Sequence, residues 1–244
     1  MDEERGRLVS MTLRTVGLIG GMSYHSTVDY YLGINDAVAH AVGGHASAPI
    51  LLSSLDFQQV RDLQVVEDWP AAGRLLAHHA RILQDAGAHA VLICTNLMHK
   101  VAPAVQDAID IPLIHIADAV ARAATDRGVT SLGIMGAGWT MREDFYADRL
   151  TLGGIHPVRA GADDADLTDQ IVFDELTQGV VLDSSKEKLL GVVERLVGDG
   201  ADGVVLGCTE LPLILSDGDA TVPLIDSTKA HVRAAVDFIL GERD

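Results

Sequence analysis

Short aliphatic runs bounded by glycine or proline alternate along the chain with alanine-rich stretches whose apolar residues recur every three or four positions. The runs are apolar throughout, as expected of strands buried on both faces, and the intervening stretches have the period of amphipathic helices. Together they predict βαβ units around parallel sheets, an α/β fold. The predicted strands cover 14–19, 49–55, 89–94, 112–115, 130–135, 155–158, 203–207 and 223–225. The predicted helices cover 26–41, 69–86, 97–108, 117–126, 141–152, 166–179, 185–199 and 228–240. Gly87, Gly128, Gly153 and Gly200 stand where helices should end, positions that favour a left-handed backbone. Ser26 or Thr27 is expected to cap the first helix.

A repeat underlies this alternation. VGLIGG at 16–21 returns as LGIMGAG at 132–138, GAHAVLICTN at 87–96 as GADGVVLGCTE at 200–210, and IPLIH at 111–115 as VPLID at 222–226. Gly20 to Gly136, Cys94 to Cys208 and Pro112 to Pro223 are separated by 116, 114 and 111 residues, so three motifs recur in one order at nearly one spacing. Two homologous halves explain this economically. The first domain is expected over 13–113 plus 228–244, the second over 114–227, and residues 1–12 read as a flexible polar lead-in with Met11 a candidate start.

Composition narrows the function. Eighteen Lys and Arg against 35 Asp and Glu give a formal charge of -17, which repels nucleic acid and anionic lipid. With 48% hydrophobic and 22% charged residues among 244, the chain has ample material for a core. No apolar run approaches membrane-spanning length, and two cysteines make no secreted disulfide framework. The expected setting is the cytoplasm, without nucleic-acid or membrane partners.

Those two cysteines occupy the same point of each half, after a buried-type strand and before a threonine: Cys94-Thr95-Asn96 and Cys208-Thr209-Glu210. Ligands of parallel sheets bind beyond the carboxyl ends of the strands, so both thiols fall at a ligand-binding edge. If the halves face one another about a pseudo-twofold axis, the thiols approach one small ligand from opposite sides. Inverting a stereocentre needs a base on one face and an acid on the other, roles that a thiolate and a thiol exchange. Thr95, Asn96 and Thr209 are candidate donors for the developing charge, and following helix N-termini are expected to lower the thiol pKa values. Either cysteine alone reads more simply as a small core hydrophobe; the symmetric placement carries the chemical reading.

The turn Gly17-Leu18-Ile19-Gly20-Gly21-Met22-Ser23 lacks dinucleotide and P-loop spacing. It suits a small carboxylate, or equally a tight βα turn without a ligand. No CxxC or HExxH pattern suggests a metal, and His78, His79 and His99 read as structural or surface residues.

At these residues the chain resembles the aspartate/glutamate racemase superfamily, in its aspartate racemase and broad-specificity amino-acid racemase branch. The matching segments are GLIGGMS at 17–23, STVDYYLGIN at 26–35, ICTNLMHKVAP at 93–103, PLIHIADA at 112–119, TMREDFY at 140–146, FDEL at 173–176 and GADGVVLGCTELP at 200–212. The resemblance implies two pseudo-symmetric α/β domains, each a parallel sheet flanked by helices, with the active site in the cleft between them. It further implies racemisation without pyridoxal phosphate or another cofactor, and a homodimer. Cys94 and Cys208 match the acid/base cysteines. Substrate contacts fall to Met22 and Ser23, to Ser54 and Asp56 in a closing loop over 53–57, to Thr95, Asn96 and Leu97, and to Thr140 and Thr209. Leu97 stands where the family commonly has Thr, Thr177 where aspartate-specific members carry Lys, and His25 where an acid is frequent. Aspartate or glutamate is the first expected substrate and a neutral amino acid such as homoserine the second. A dicarboxylate cis/trans isomerase or decarboxylase and a non-catalytic amino-acid sensor are the alternatives.

Overall fold

The computed structural model describes residues 12–241; the candidate start at Met11 and nearly all of the lead-in lie outside them. The expected α/β architecture is present, with parallel sheets flanked by helices. Chain contacts divide the described residues into two compact units, one of 12–94, 101–115 and 231–241 and the other of 95–100 and 116–230.

The first unit holds a parallel sheet in the order β2-β1-β3, from β1 (Val16–Gly20), β2 (Ile50–Ser54) and β3 (Ala90–Ile93). Its helices are α1 (Tyr24–Val42), α2 (Phe57–Val65), α3 (Trp69–Asp85) and the short α4 (Ala102–Gln106). β1 and β3 are buried at every position, as their continuous apolar sequence requires. Leu18, Tyr30, Ile34, Leu92, Ala235 and Ile239 share one core. Within it the Tyr30 hydroxyl lies 2.7 Å from His231 Nδ1, and His231 Nε2 lies 2.7 Å from the Ile114 carbonyl. With Nε2 donating to that carbonyl, Nδ1 is left to accept from the tyrosine.

The second unit holds a parallel sheet in the order β5-β4-β6-β7, from β4 (Ser131–Gly136), β5 (His156–Arg159), β6 (Gly203–Gly207) and β7 (Leu224–Asp226). It carries α5 (Ile116–Asp126), α6 (Gly138–Arg142), α7 (Asp144–Leu152), α8 (Ala162–Asp174), α9 (Asp183–Gly198) and the start of α10 (Ser227–Leu240), whose residues from His231 group with the first unit. Met135, Ile171, Leu189, Val192, Leu196 and Leu206 anchor its core.

The sequence repeat has a physical counterpart inside each unit. A Cβ on Gly17 of β1 would lie 3.0 Å from Leu83 Cβ of α3, and one on Gly133 of β4 would lie 3.1 Å from Leu196 Cδ1 of α9. The same strand position is thus kept bare so that a helix approaches closely. Each of these strands pairs in parallel with the strand that leads into a cysteine, β1 with β3 and β4 with β6.

Several expectations are corrected. Residues 112–115 form a single bridge, Val91 to Leu113, rather than a strand. The helix expected over 97–108 is a 3-10 turn at Leu97–Val101 followed by α4, and that over 141–152 breaks at Glu143, where the backbone is extended. The helix expected over 166–179 starts four residues earlier and gives way to a 3-10 turn at Leu176–Gln178 before the left-handed Gly179. α2 was not expected; Asp56 caps it by accepting from the Gln58 N–H at 3.0 Å. Ser23, not Ser26 or Thr27, caps α1. Gly87, Gly128 and Gly200 have positive φ as expected, whereas Gly153 has φ -78 and its neighbour Gly154 takes the left-handed turn. Among the described residues no helix is long and apolar enough to cross a membrane.

Gly21 is the least replaceable of the turn glycines. Its φ is +85, and a Cβ there would fall 2.2 Å from the Leu55 carbonyl oxygen. Gly21→Ala should therefore destabilise the fold by at least about 2 kcal/mol, read as a lowered denaturation midpoint; an unchanged midpoint would refute the close approach.

Candidate active site

In the first unit the glycine turn closes through its own backbone. The Leu55 N–H donates to the Gly20 carbonyl at 3.0 Å, the Gly21 N–H to Thr27 Oγ1 at 2.8 Å, and the Thr27 hydroxyl to the Ser23 carbonyl at 2.9 Å. Cys94 follows β3, fully buried, with its N–H donating to the Ile19 carbonyl at 3.0 Å. The Ser26 hydroxyl, buried on α1, donates to the Cys94 carbonyl at 2.9 Å. Strand and helix thus both fix the cysteine backbone. Of the other candidates here, Met22 is buried, Ser23 half-buried and occupied in capping, and Ser54 and Asp56 exposed at the end of β2 and the start of α2. Beside Ser54, the Ser53 hydroxyl lies 2.7 Å from His79 Nδ1; burial and then neighbouring His78 hold the His79 pKa below the usual imidazole range.

The second unit brings together Thr95, Asn96, Leu97, Thr140, Cys208 and Thr209 as members of one compact body. The Asn96 amide nitrogen donates to Ser227 Oγ at 3.0 Å, and the Ser227 hydroxyl to the Leu206 carbonyl at 2.7 Å. Among the described residues Asn96 Oδ1 is left buried with no partner, as is Thr140 Oγ1. A buried acceptor and a buried hydroxyl without partners are costly in an empty protein and favourable where a ligand supplies the missing bonds. His99 holds the same segment from behind: its Nε2 accepts from the Ile116 N–H at 3.2 Å, so Nδ1 carries the proton and donates to the Thr95 carbonyl at 2.8 Å. Leu97 is buried in the 3-10 turn.

Cys208 ends β6 beside the end of β4. A Cβ on Gly136 would lie 2.7 Å from the Gly207 carbonyl, so the two strand ends meet only because both are bare. The thiol donates to Glu210 Oε2 at 2.9 Å, and the Thr209 hydroxyl to the same oxygen at 2.8 Å. Asp169 of α8 accepts from the Gly138 N–H at 2.8 Å and adds a second negative field at the thiol.

The expectation of acidified thiols is overturned. Burial pushes the Cys94 thiol well above its ordinary range; burial and then the Glu210 carboxylate do the same for Cys208. The segments after the cysteines are 3-10 turns at Leu97–Val101 and Leu211–Leu213, too short to offer the field of an α-helix. Both groups rest as thiols at neutral pH. Glu210 is the residue whose part went unassigned from sequence, although its place two residues after Cys208 was visible; Ser26 and Ser227 needed the tertiary structure. Thr177 is exposed and donates to the Phe173 carbonyl at 2.8 Å, and His25 stacks on Tyr24 at the surface. Among the described residues no group of three or more His, Cys, Asp or Glu is arranged to hold a metal ion.

Residues 19–235 match the model of the Asp/Glu/hydantoin racemase family. A crystal structure from Yersinia pestis, assigned as an Asp/Glu racemase, is similar at 39% identity and TM-score 0.89, covering 93% of this chain and all of that one. An aspartate racemase homologue from Pyrococcus horikoshii OT3 is similar at 30% identity and TM-score 0.81, covering 93% of this chain and 99% of that one. Glutamate racemase of Pseudomonas entomophila is 30% identical over 177 residues, 69% of this chain and 64% of that protein.

Alkylation of both cysteines should be slow at neutral pH and rise about tenfold per pH unit into the alkaline range. Glu210→Gln removes the like charge and should speed Cys208 alkylation at fixed pH; fast alkylation at pH 7 in the parent protein would contradict the raised thiols. Because the folded state favours the neutral form of both thiols, their contribution to stability is complete below about pH 9, the ordinary thiol value, and declines as pH rises beyond it. Denaturation midpoints should fall above that pH, and Cys94→Ala should lessen the fall.

Proposed function

Because the chain belongs to the Asp/Glu/hydantoin racemase family, we propose that it is a cofactor-independent amino-acid racemase that works in the cytoplasm as a homodimer, with Cys94 and Cys208 as its acid–base pair. One observation carries the reading: the chain's two cysteines stand at equivalent strand ends, each beside a strand that ends in glycine. On this reading the thiolate form of one cysteine takes the Cα proton of the substrate, breaking C–H and forming S–H. The thiol of the other gives its proton to the opposite face of the carbanion. The two groups end with exchanged protonation states, so the reverse reaction uses the same pair.

The raised thiols set what else the mechanism requires. A thiolate must be generated when substrate is present, and Glu210, already accepting the Cys208 S–H, is placed to take that proton. Its carboxylate acts through Cys208 and not on the substrate. For Cys94 the buried position keeps the proton on the sulfur until a bound charged substrate supplies a compensating field. Among the described residues Asn96 Oδ1 has no partner and suits the donor of a substrate ammonium, and the Thr140 hydroxyl suits its carboxylate, whereas the Thr209 hydroxyl is engaged by Glu210. Aspartate or glutamate is the first substrate on family grounds, and the lack of a cation at Thr177 keeps a neutral amino acid such as homoserine second.

The test is α-proton exchange in deuterated buffer, followed by NMR without added cofactor over L- and D-amino acids, with racemisation followed by circular dichroism. Cys94→Ala and Cys208→Ala should each lower racemisation by at least about 10³-fold, each retaining exchange of one enantiomer at most. Glu210→Gln should lower turnover by about 10²-fold. Full racemisation by both cysteine variants, or no exchange with any amino acid, would refute the proposal.

A further inference from the structure

Four buried side-chain polar atoms have no partner among the described residues, and all lie in the second unit: Asn96 Oδ1, Thr140 Oγ1, Tyr146 Oη and Thr228 Oγ1. Tyr146 belongs to α7, whereas the other three gather at the carboxyl end of β6. Asn96 is tied to the Leu206 carbonyl through Ser227, and a Cβ on Gly207 would lie 3.6 Å from Thr140 Cγ2. Thr228 comes from the opposite flank. The sheet order sets β4 on one side of β6 and β7 on the other; Thr140 follows β4, and Thr228 stands in the first turn of α10, directly after β7. Leu206 pairs with Asp226, so Thr228 follows that pair on β7 by two residues, as Cys208 follows it on β6. The Thr228 side chain takes no part in capping α10. Asp226 Oδ1 accepts from the Lys229 N–H at 3.0 Å, and the Ser227 hydroxyl is engaged by Leu206 and Asn96. Thr228 is thus a half-buried residue whose hydroxyl is fully buried and bonds to nothing among the described residues. Such a group costs stability in the empty protein and repays it where a ligand supplies the bond.

We propose that Thr228 is a further substrate-binding residue, which accepts, together with Asn96 Oδ1, from the ammonium group of an amino acid on the β7 side of Cys208. An ammonium carries three N–H donors and is poorly served by a single acceptor. Asn96 Oδ1 supplies the first acceptor and cannot turn away, because its Nδ2 is held by Ser227, the residue next to Thr228. Thr228 Oγ1 is the second unmet oxygen beside that anchor. Charge favours the same assignment: the Glu210 carboxylate, 2.9 Å from the Cys208 sulfur, sets a negative field at this strand end in which an ammonium is stabilised. With Thr140 on the β4 side left to the carboxylate, the two threonine hydroxyls fix which way round the ligand lies across the end of β6. The assignment rests on the racemase reading only in taking the ligand to be an amino acid.

Two variants test it: Thr228→Val keeps the shape and removes the hydroxyl, and Thr228→Ser keeps the hydroxyl. Because a bare buried hydroxyl is costly, Thr228→Val should raise the denaturation midpoint of the ligand-free protein, where a threonine needed for the fold would lower it. Binding is read without turnover, as protection of Cys208 from alkylation in alkaline buffer. The probes are the L and D forms of aspartate, glutamate and homoserine, set against malate and 2-hydroxyglutarate, in which a hydroxyl replaces the ammonium. Thr228→Val should weaken protection by the amino acids about 10- to 100-fold and protection by the hydroxy acids less than about threefold, with Thr228→Ser close to the parent protein. In racemisation, Thr228→Val should raise KM more than it lowers kcat. Amino-acid protection unchanged in Thr228→Val, an equal loss for the hydroxy acids, or a lowered midpoint would each overturn the assignment and leave the racemase reading standing. Amino acids that protect through Thr228 without exchanging their α-protons would overturn the racemase reading alone, and a parent protein that none of them protects would overturn both.

Discussion

Each unit depends on the parallel pairing of a strand that ends in glycine with a strand that runs into cysteine. β1 against β3 and β4 against β6 are buried ladders, and the residue that follows each second strand inherits a position fixed by backbone bonds. Cys94 is held by its N–H on Ile19 and by Ser26 on its carbonyl. Cys208 follows a strand end that meets β4 at van der Waals limits, with Gly136 facing Gly207. A side chain at either glycine would push the ladders apart before it disturbed anything else.

From that constraint comes the electrochemical character of the thiols. A group at the end of a buried strand is desolvated, and desolvation favours the neutral form. Sequence spacing suggested helix N-termini that would offset this, but the chain turns through short 3-10 segments instead. What stands beside Cys208 is a carboxylate, which raises the thiol further and accepts its hydrogen bond. The same contact that makes the resting thiol weakly acidic also supplies an acceptor for its hydrogen bond.

Around Asn96 the polar accounting points the same way. One side of the amide is satisfied through Ser227 to the β6 backbone, which fixes its orientation, and His99 fixes the peptide before it. The other side has no partner among the described residues. Rigid supports behind it hold the amide in one orientation.

The order of strands and helices, the internal repeat and the pairing of Cys94 with Cys208 as equivalents were legible in the sequence, because buried parallel strands and amphipathic helices impose distinct periods and because glycine marks where strand meets helix. The places where the sequence misled are those where its period does not record the local backbone or the packing. α2 is a nine-residue helix that exposes Phe57 and Val65 and buries Gln64, so its apolar residues do not by themselves mark its buried face, and the breaks at Glu143 and after Cys94 are changes of backbone conformation within stretches of helical period. Ser26 and Ser227 looked like any helix-start serines until the fold set them against the carbonyls of Cys94 and Leu206. The thiol pKa values were least accessible of all, since desolvation and the position of Glu210 are properties of the folded surroundings and not of any motif. Sequence determined which residues stand at the strand ends; tertiary structure decided what those residues feel there, because periodicity records burial along one element while electrostatics sums over every element packed around it.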